Sequence, residues 1–193
     1  NVGRILMALD EAGLRENTIV IYISDHGDWL GDHGLILKGP MHYEGLLRVP
    51  MIAQGPGIPS GKVVDDPVST LDLPATFCDY GAATPLLPQH GQSVRPLIET
   101  ETATRDFALN EWELLPTRAG VGLSLSTVRT KTHKLTIALQ SGAGEMYDMI
   151  VDPDETTNLF DKPNHAVLRA QLLEYIHQRP DDAGPVRTQV GMA

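Results

Sequence analysis

Three side chains in the stretch YISDHGDWLGDHGLILKG (22–39) could do chemistry together: Asp25, His26 and Lys38. The segment before them, TIVIYIS (18–24), is apolar at nearly every position and rich in β-branched residues. That pattern predicts a strand buried on both faces, as in a parallel sheet. In open α/β sheets ligands bind beyond the carboxyl ends of the strands, where Asp25 and His26 fall. A carboxylate oxygen beside a neutral imidazole nitrogen can share one divalent cation. A turn cap with an imidazole packed on it is the commoner fate of an Asp-His pair; the apolar strand before this pair and Gly27 after it favour the ligand reading. Lys38 follows thirteen residues after Asp25. A fixed positive charge there can stabilise negative charge on the same group that the cation binds. Most lysines are simply solvated, but Gly34, Gly39 and Pro40 shape this loop and lysine is scarce around it.

Other residues carry weaker signals. Asp32 and His33 repeat the pair without a preceding strand, so a solvated or loop-bracing role is expected, with His33 also a candidate for the mouth of a pocket. His42 is a candidate to reach a substrate's leaving group, against the commoner structural hydrogen bond. Arg48, before Val49-Pro50, is expected to be ion-paired. The acidic segment DPDETTN (152–158) lacks the glycine and alternating ligands of an EF-hand loop, so Asp152 and Glu155 are expected to brace a turn. Trp112 can touch a substrate or fill a gap between layers, and gap-filling is the simpler reading.

Several elements must hold these residues in place. Apolar spacing predicts a helix over 2–17, stopped near Gly13. RVPMIAQ (48–54) reads as a short strand ended by the turn-rich GPGIPSG. STLDLPATFCDYGA (69–82) reads as a helix, with Asp72 as its cap, Pro74 in its first turn and Gly81 at its end. Residues 82–104 look like a linker-like crossing. After them VGLSLSTV (121–128) and KLTIAL (134–139) pair as a hairpin, and GEMYDMIVDPDETTNLF (144–160) runs from a strand into a polar bend. HAVLRAQLLEYIHQ (165–178) places Val167, Leu168, Leu172, Tyr175 and Ile176 on one helical face. The expected architecture is α/β: residues 1–100 form part of a mixed-sheet domain, and 101–193 form a small antiparallel-sheet subdomain closed by a helix.

Composition narrows the function. The 193 residues carry a net charge of −10, with no basic stripe, which argues against a nucleic-acid partner. No apolar run approaches a membrane span. One cysteine, Cys78, excludes an intrachain disulfide. The opening Asn1-Val2-Gly3 has no initiator methionine and no signal-peptide pattern. It reads as the inside of a helix, so the chain is expected to be the C-terminal piece of a longer protein, with its compartment, cytoplasmic or periplasmic, left open.

The block NTIVIYISDHGDWLGDHGLILKGPMHYEGLLRVPMIAQGPG resembles the signature of the sulfatase family, within the alkaline phosphatase superfamily. PVSTLDLPATFCDYGA, GQSVRPLI and VRTKTHKLTIALQSGAGEMYDMIVDPDETTNLF continue the resemblance in order. It implies a metal-dependent hydrolase of small sulfate monoesters, with Asp25 and His26 as metal ligands and Lys38 as a sulfate-oxygen contact. The metal implied is calcium, with magnesium or manganese as alternatives. The family's acidic pair and its Cys/Ser-x-Pro-x-Arg nucleophile, oxidised to formylglycine, would lie in the N-terminal part of the same protein. Cys78 lacks the Pro and Arg and reads as a small buried hydrophobe. The chain alone is expected to be inactive, and an open edge on strand 18–24 to pair with that N-terminal part or with a second copy in a homo-oligomer. A phosphonate monoester hydrolase or phosphodiesterase of the same superfamily stays open as an alternative, as does a non-catalytic sulfatase-like fragment.

Overall fold

Helix α1 (Val2–Glu11) ends short of Gly13, whose φ of +66° turns the chain out of the helix. A 3-10 turn, Arg15–Asn17, leads into strand β1 (Val20–Ile23). The structure, a computed structural model, describes residues 1–114, 116, 120 and 122–180. Residues 115, 117–119, 121 and 181–193 lie outside the described residues, and with them Val121 at the start of the expected strand 121–128 and the end of the expected subdomain 101–193.

Strand β1 pairs antiparallel with β2 (Met51–Gln54), Val20 opposite Gln54 and Ile23 opposite Met51. Burial on both faces is not what β1 has: Tyr22 is 47 % exposed and no residue of the strand is fully buried. Among the described residues this sheet has two strands, too few to enclose so apolar a run. The short helix α2 (Glu44–Leu47) lies between the two strands in sequence.

Helix α3 (Asp72–Tyr80) carries Pro74 in its first turn and stops at Gly81. Asp72 does not cap it. The residue is fully buried, and its carboxylate accepts the N–H groups of Ser69 (2.7 Å) and Gln92 (2.9 Å) and pairs with Arg105. Its acceptor oxygens are thereby spent on the loops around the helix rather than on the helix's own amides. Cys78 is half-buried rather than buried. The expected linker holds a further helix, α4 (Arg95–Thr100), with Pro96 in its first turn and Val94 and Leu97 buried. Arg95 bonds Glu99 one turn on at 3.0 Å and Asp79 of α3 at 3.3 Å.

The second half is a meander of four antiparallel strands: β3 (Phe107–Leu114), β4 (Leu123–Thr130), β5 (His133–Ala138) and β6 (Gly144–Asp148). The hairpin between β4 and β5 lies where alternation predicted it; β3 was not predicted. Register places Val128 opposite Leu135 and Leu135 opposite Met146, all fully buried. Helix α5 (Ala166–Ile176) covers this row with Leu172 and Ile176, and Phe160 completes the cluster. Each such side chain contributes on the order of 1.5–3 kcal/mol by burial. Val167 is 75 % exposed instead of sharing the packed face. One residue from Leu168, it lies about 100° around the helix from the face that Leu168, Leu172 and Tyr175 present. The chain is thus α/β, helices packed with two antiparallel sheets. No helix among the described residues is long and apolar enough to cross a membrane.

Candidate functional site

The end of β1 is pinned before it reaches the chemistry. Ser24 Oγ donates to the His26 carbonyl at 2.8 Å, and the His26 N–H donates to Asp25 Oδ1 at 3.0 Å. Gly27 donates its N–H to the Leu46 carbonyl of α2 at 2.8 Å. A Cβ at Gly27 would lie 1.9 Å from the Gly45 carbonyl oxygen, so only glycine allows this contact. The loop then folds back on itself. The Asp28 carboxylate accepts the N–H groups of Leu30 (2.9 Å) and Leu37 (3.1 Å). The buried Trp29 indole donates to the Met41 carbonyl at 3.2 Å, and a Cβ at Gly39 would lie 2.8 Å from the indole ring. These restraints return Lys38 over His26, with Nζ 3.0 Å from Nε2.

The hydrogen bonds assign the imidazole. Nδ1 lies 2.7 Å from the Gly27 carbonyl. A carbonyl only accepts, so Nδ1 carries the hydrogen and Nε2 holds a lone pair. That lone pair accepts from the Lys38 ammonium, with Asp25 Oδ2 3.7 Å away. The hydrogen bond from the His26 N–H, above all, holds the Asp25 carboxyl below its usual range. One carboxylate oxygen and one imidazole nitrogen, the latter taken up by Lys38, thus stand side by side at an exposed position, and the pair is of the kind that fits part of a cation's shell. Among the described residues no group of three or more His, Cys, Asp or Glu could hold a metal ion; Asp25 and His26 offer two ligands between them.

Asp25, His26 and Lys38 line one open cleft of about 1500 Å³. Its lining comes from β1, α2, β2, the segment 58–70, α4, β3 and the end of β4. His42 also reaches this cleft, but it is buried and its Nδ1 is 2.7 Å from Thr127 Oγ1. Its geometry is that of the structural hydrogen bond. His33 is exposed and stacks on Tyr43 with ring centroids 3.7 Å apart; it is not among the residues that line the cleft. Arg48, expected to be ion-paired, is exposed on the cleft and makes no ion pair among the described residues. Trp112 lines the cleft and meets His42 edge-on at 6.5 Å. Asp152 braces its turn through the N–H groups of Thr156 and Thr157. Glu155 does not: it is 4 % exposed and bonds the Glu44 N–H at 2.7 Å. Sequence reasoning missed Asp28, Trp29, Glu44 and Lys134; for the first two, a short side chain and an indole between two glycine-bearing turns were the available signal.

Burial, and then the Lys134 charge, push the His42 pKa down to about 4. The unfolded imidazole titrates near 6.5. Between those values the unfolded chain binds a proton that the folded chain does not, so stability rises with pH across that window and is complete above about 6.5. Denaturant midpoints measured at pH 4.5 and 7 are expected to differ less in His42→Gln than in the wild type. An unchanged difference would remove His42 from the pH response.

The first 82 residues match the family model for sulfatases. Over 94 % of its length the chain is 31 % identical to the Δ4,5-hexuronate-2-O-sulfatase of Bacteroides thetaiotaomicron, covering 39 % of that protein. A 2-O GAG sulfatase structure superposes with a TM-score of 0.82 at 32 % identity, over 94 % of this chain and 41 % of that one. The phosphonate monoester hydrolase of Agrobacterium radiobacter superposes with a TM-score of 0.80 at 27 % identity, over 91 % of this chain and 37 % of that one. The chain spans about two fifths of the length of these proteins.

Proposed function

The chain belongs to the sulfatase family, and we propose that it supplies one side of a metal-dependent site that hydrolyses a sulfate monoester. The observation that carries this reading is the Lys38 ammonium held 3.0 Å from His26 Nε2, with Asp25 beside it in one cleft. Asp25 and the Nε2 lone pair of His26 would hold a divalent cation, calcium first, with magnesium or manganese as alternatives. When bound, such a cation supplies Lewis-acid polarisation of a sulfate oxygen. With Nε2 given over to that cation, the Lys38 ammonium, which uses this lone pair here, would be free to donate to a sulfate oxygen, where its charge would favour the transition state over the ground state. The nucleophile, a formylglycine if the family resemblance holds for it, would lie outside these residues. The names of the two sulfatase relatives favour a sulfated sugar as substrate.

The likeness to a phosphonate monoester hydrolase supports a second reading, hydrolysis of a phosphonate monoester at the same site. The two separate in one assay. The whole protein that carries this chain, supplied with calcium, is given an aryl sulfate and an aryl phosphonate monoester in parallel. The sulfate ester is expected to have the higher kcat/KM, and residues 1–193 alone are expected to turn over neither. A higher kcat/KM for the phosphonate would replace the first reading by the second.

A further inference from the structure

Lys134 and Glu155 form a buried ion pair, 1 % and 4 % exposed, that the site described above does not use. Burying two charges is costly unless further hydrogen bonds satisfy them. Here those bonds go to one short piece of backbone. Lys134 Nζ donates to the His42 carbonyl at 2.6 Å, and Glu155 Oε2 accepts the Glu44 N–H at 2.7 Å. The pair therefore holds the chain on both sides of Tyr43. The Tyr43 ring lies 5.9 Å from Lys134 Nζ. Arg129 on β4 bonds the Glu44 carboxylate at 3.1 Å, and the same carboxylate lies 3.9 Å from Lys134. Arg129 and Lys134 of the far sheet, with Glu155 from the loop after β6, thus grip the start of α2.

We propose that Lys134 and Glu155 are positioning residues that fix Lys38 against His26 by clamping the backbone at His42 and Glu44. The connection upstream is short and stiff. His42 follows Met41, whose carbonyl is held by the Trp29 indole, and Gly39-Pro40, where Gly39 lies against that same ring. A shift of the His42 carbonyl has little slack to absorb it before Lys38. The inference rests on Lys38 as the anion contact. Misplacing a reacting group by about 1 Å can cost ~10²-fold in rate.

The test uses the whole protein and an aryl sulfate. A single charge deletion would leave its partner buried and unpaired, so Lys134→Met/Glu155→Leu, which removes both charges at similar volume, is the first variant. Glu155→Asp, which keeps the charge on a shorter arm, is the second, for use if the double variant does not fold. Either is expected to keep the native near-ultraviolet circular dichroism and to lose about 10- to 100-fold in kcat/KM. Introduced into Lys38→Ala, the same changes should cost about threefold or less, because residues that act through one group are not additive. No loss in the wild-type background, or an equal loss in both backgrounds, would overturn the proposal. If Lys38→Ala alone left turnover intact, the reading of Lys38 itself would fall, and this inference with it; a crippled Lys38→Ala with additive pair losses would overturn the inference alone.

Discussion

Replacing Lys38 with alanine in the whole protein is expected to lower turnover of a sulfate ester by ~10²–10³-fold, the usual cost of removing one preorganised charge contact from a transition state. The loss should appear in kcat as well as kcat/KM, because the contact strengthens as charge moves onto the transferred group. The structure shows what holds Lys38 at this place. The loop that returns Lys38 is fixed by Asp28 and Trp29, and its Nζ is already at 3.0 Å from His26. Lys38→Arg should recover little, since a planar fork does not occupy the place of a compact ammonium. Lys38→Ala with near wild-type turnover would show that the anion is held elsewhere.

Loss of the Asp25 carboxylate is expected to have a comparable effect through the cation. Lewis-acid polarisation is worth several kcal/mol, and about 4 kcal/mol corresponds to roughly 10³-fold in rate. Chelation of the whole protein should therefore abolish most turnover, and added calcium should restore it. In Asp25→Ala the calcium concentration for half-maximal activity should rise steeply. The variant separates metal binding from folding well, because the Asp25 side chain is 86 % exposed and supports no buried contact. Calcium dependence unchanged by Asp25→Ala would remove this residue from the metal site.

How much of this could be read in the sequence differs from residue to residue. That Asp25 and His26 follow directly on a strand was legible, because a hydrophobic run that stops at Asp-His-Gly marks a strand end; that Lys38 returns to them was read from the shape of its loop. The β4–β5 hairpin and α5 were legible because period 2 and period 3.6 are local signals. The environment of β1 was not: its apolarity is a property of the strand, whereas burial depends on which elements lie over it. Strand β3 was hidden by FALNEWEL, where Asn110, Glu111 and Glu113 break the alternation. Helix α4 was hidden by a proline- and glycine-rich approach, although Pro96 fits a first helical turn. The clamp was the least legible feature. Glu155 meets Glu44 across 111 residues and Lys134 meets His42 across 92. Nothing local distinguishes Lys134 from a surface lysine on a hairpin, or Glu155 from an acid in a turn.

The clamp also changes how the two halves of the chain relate. Residues 1–100 carry Asp25, His26 and Lys38, while β4, β5 and the loop before α5 supply Arg129, Lys134 and Glu155. His42 is bonded to Thr127 of β4, and Thr127 in turn to Thr136 of β5. The small sheet is therefore joined by buried polar contacts to the segment immediately after Lys38. Such networks specify one arrangement when every member is satisfied.

The account stands most directly on where an anion sits. A crystal structure of the whole protein, grown with calcium and a slow sulfate ester or inorganic sulfate, would locate it. The account predicts a cation bound by Asp25 and His26 Nε2, with Lys38 Nζ moved off Nε2 and within hydrogen-bonding distance of a sulfate oxygen. A cation and anion bound together at other residues, with Lys38 still on His26, would contradict it.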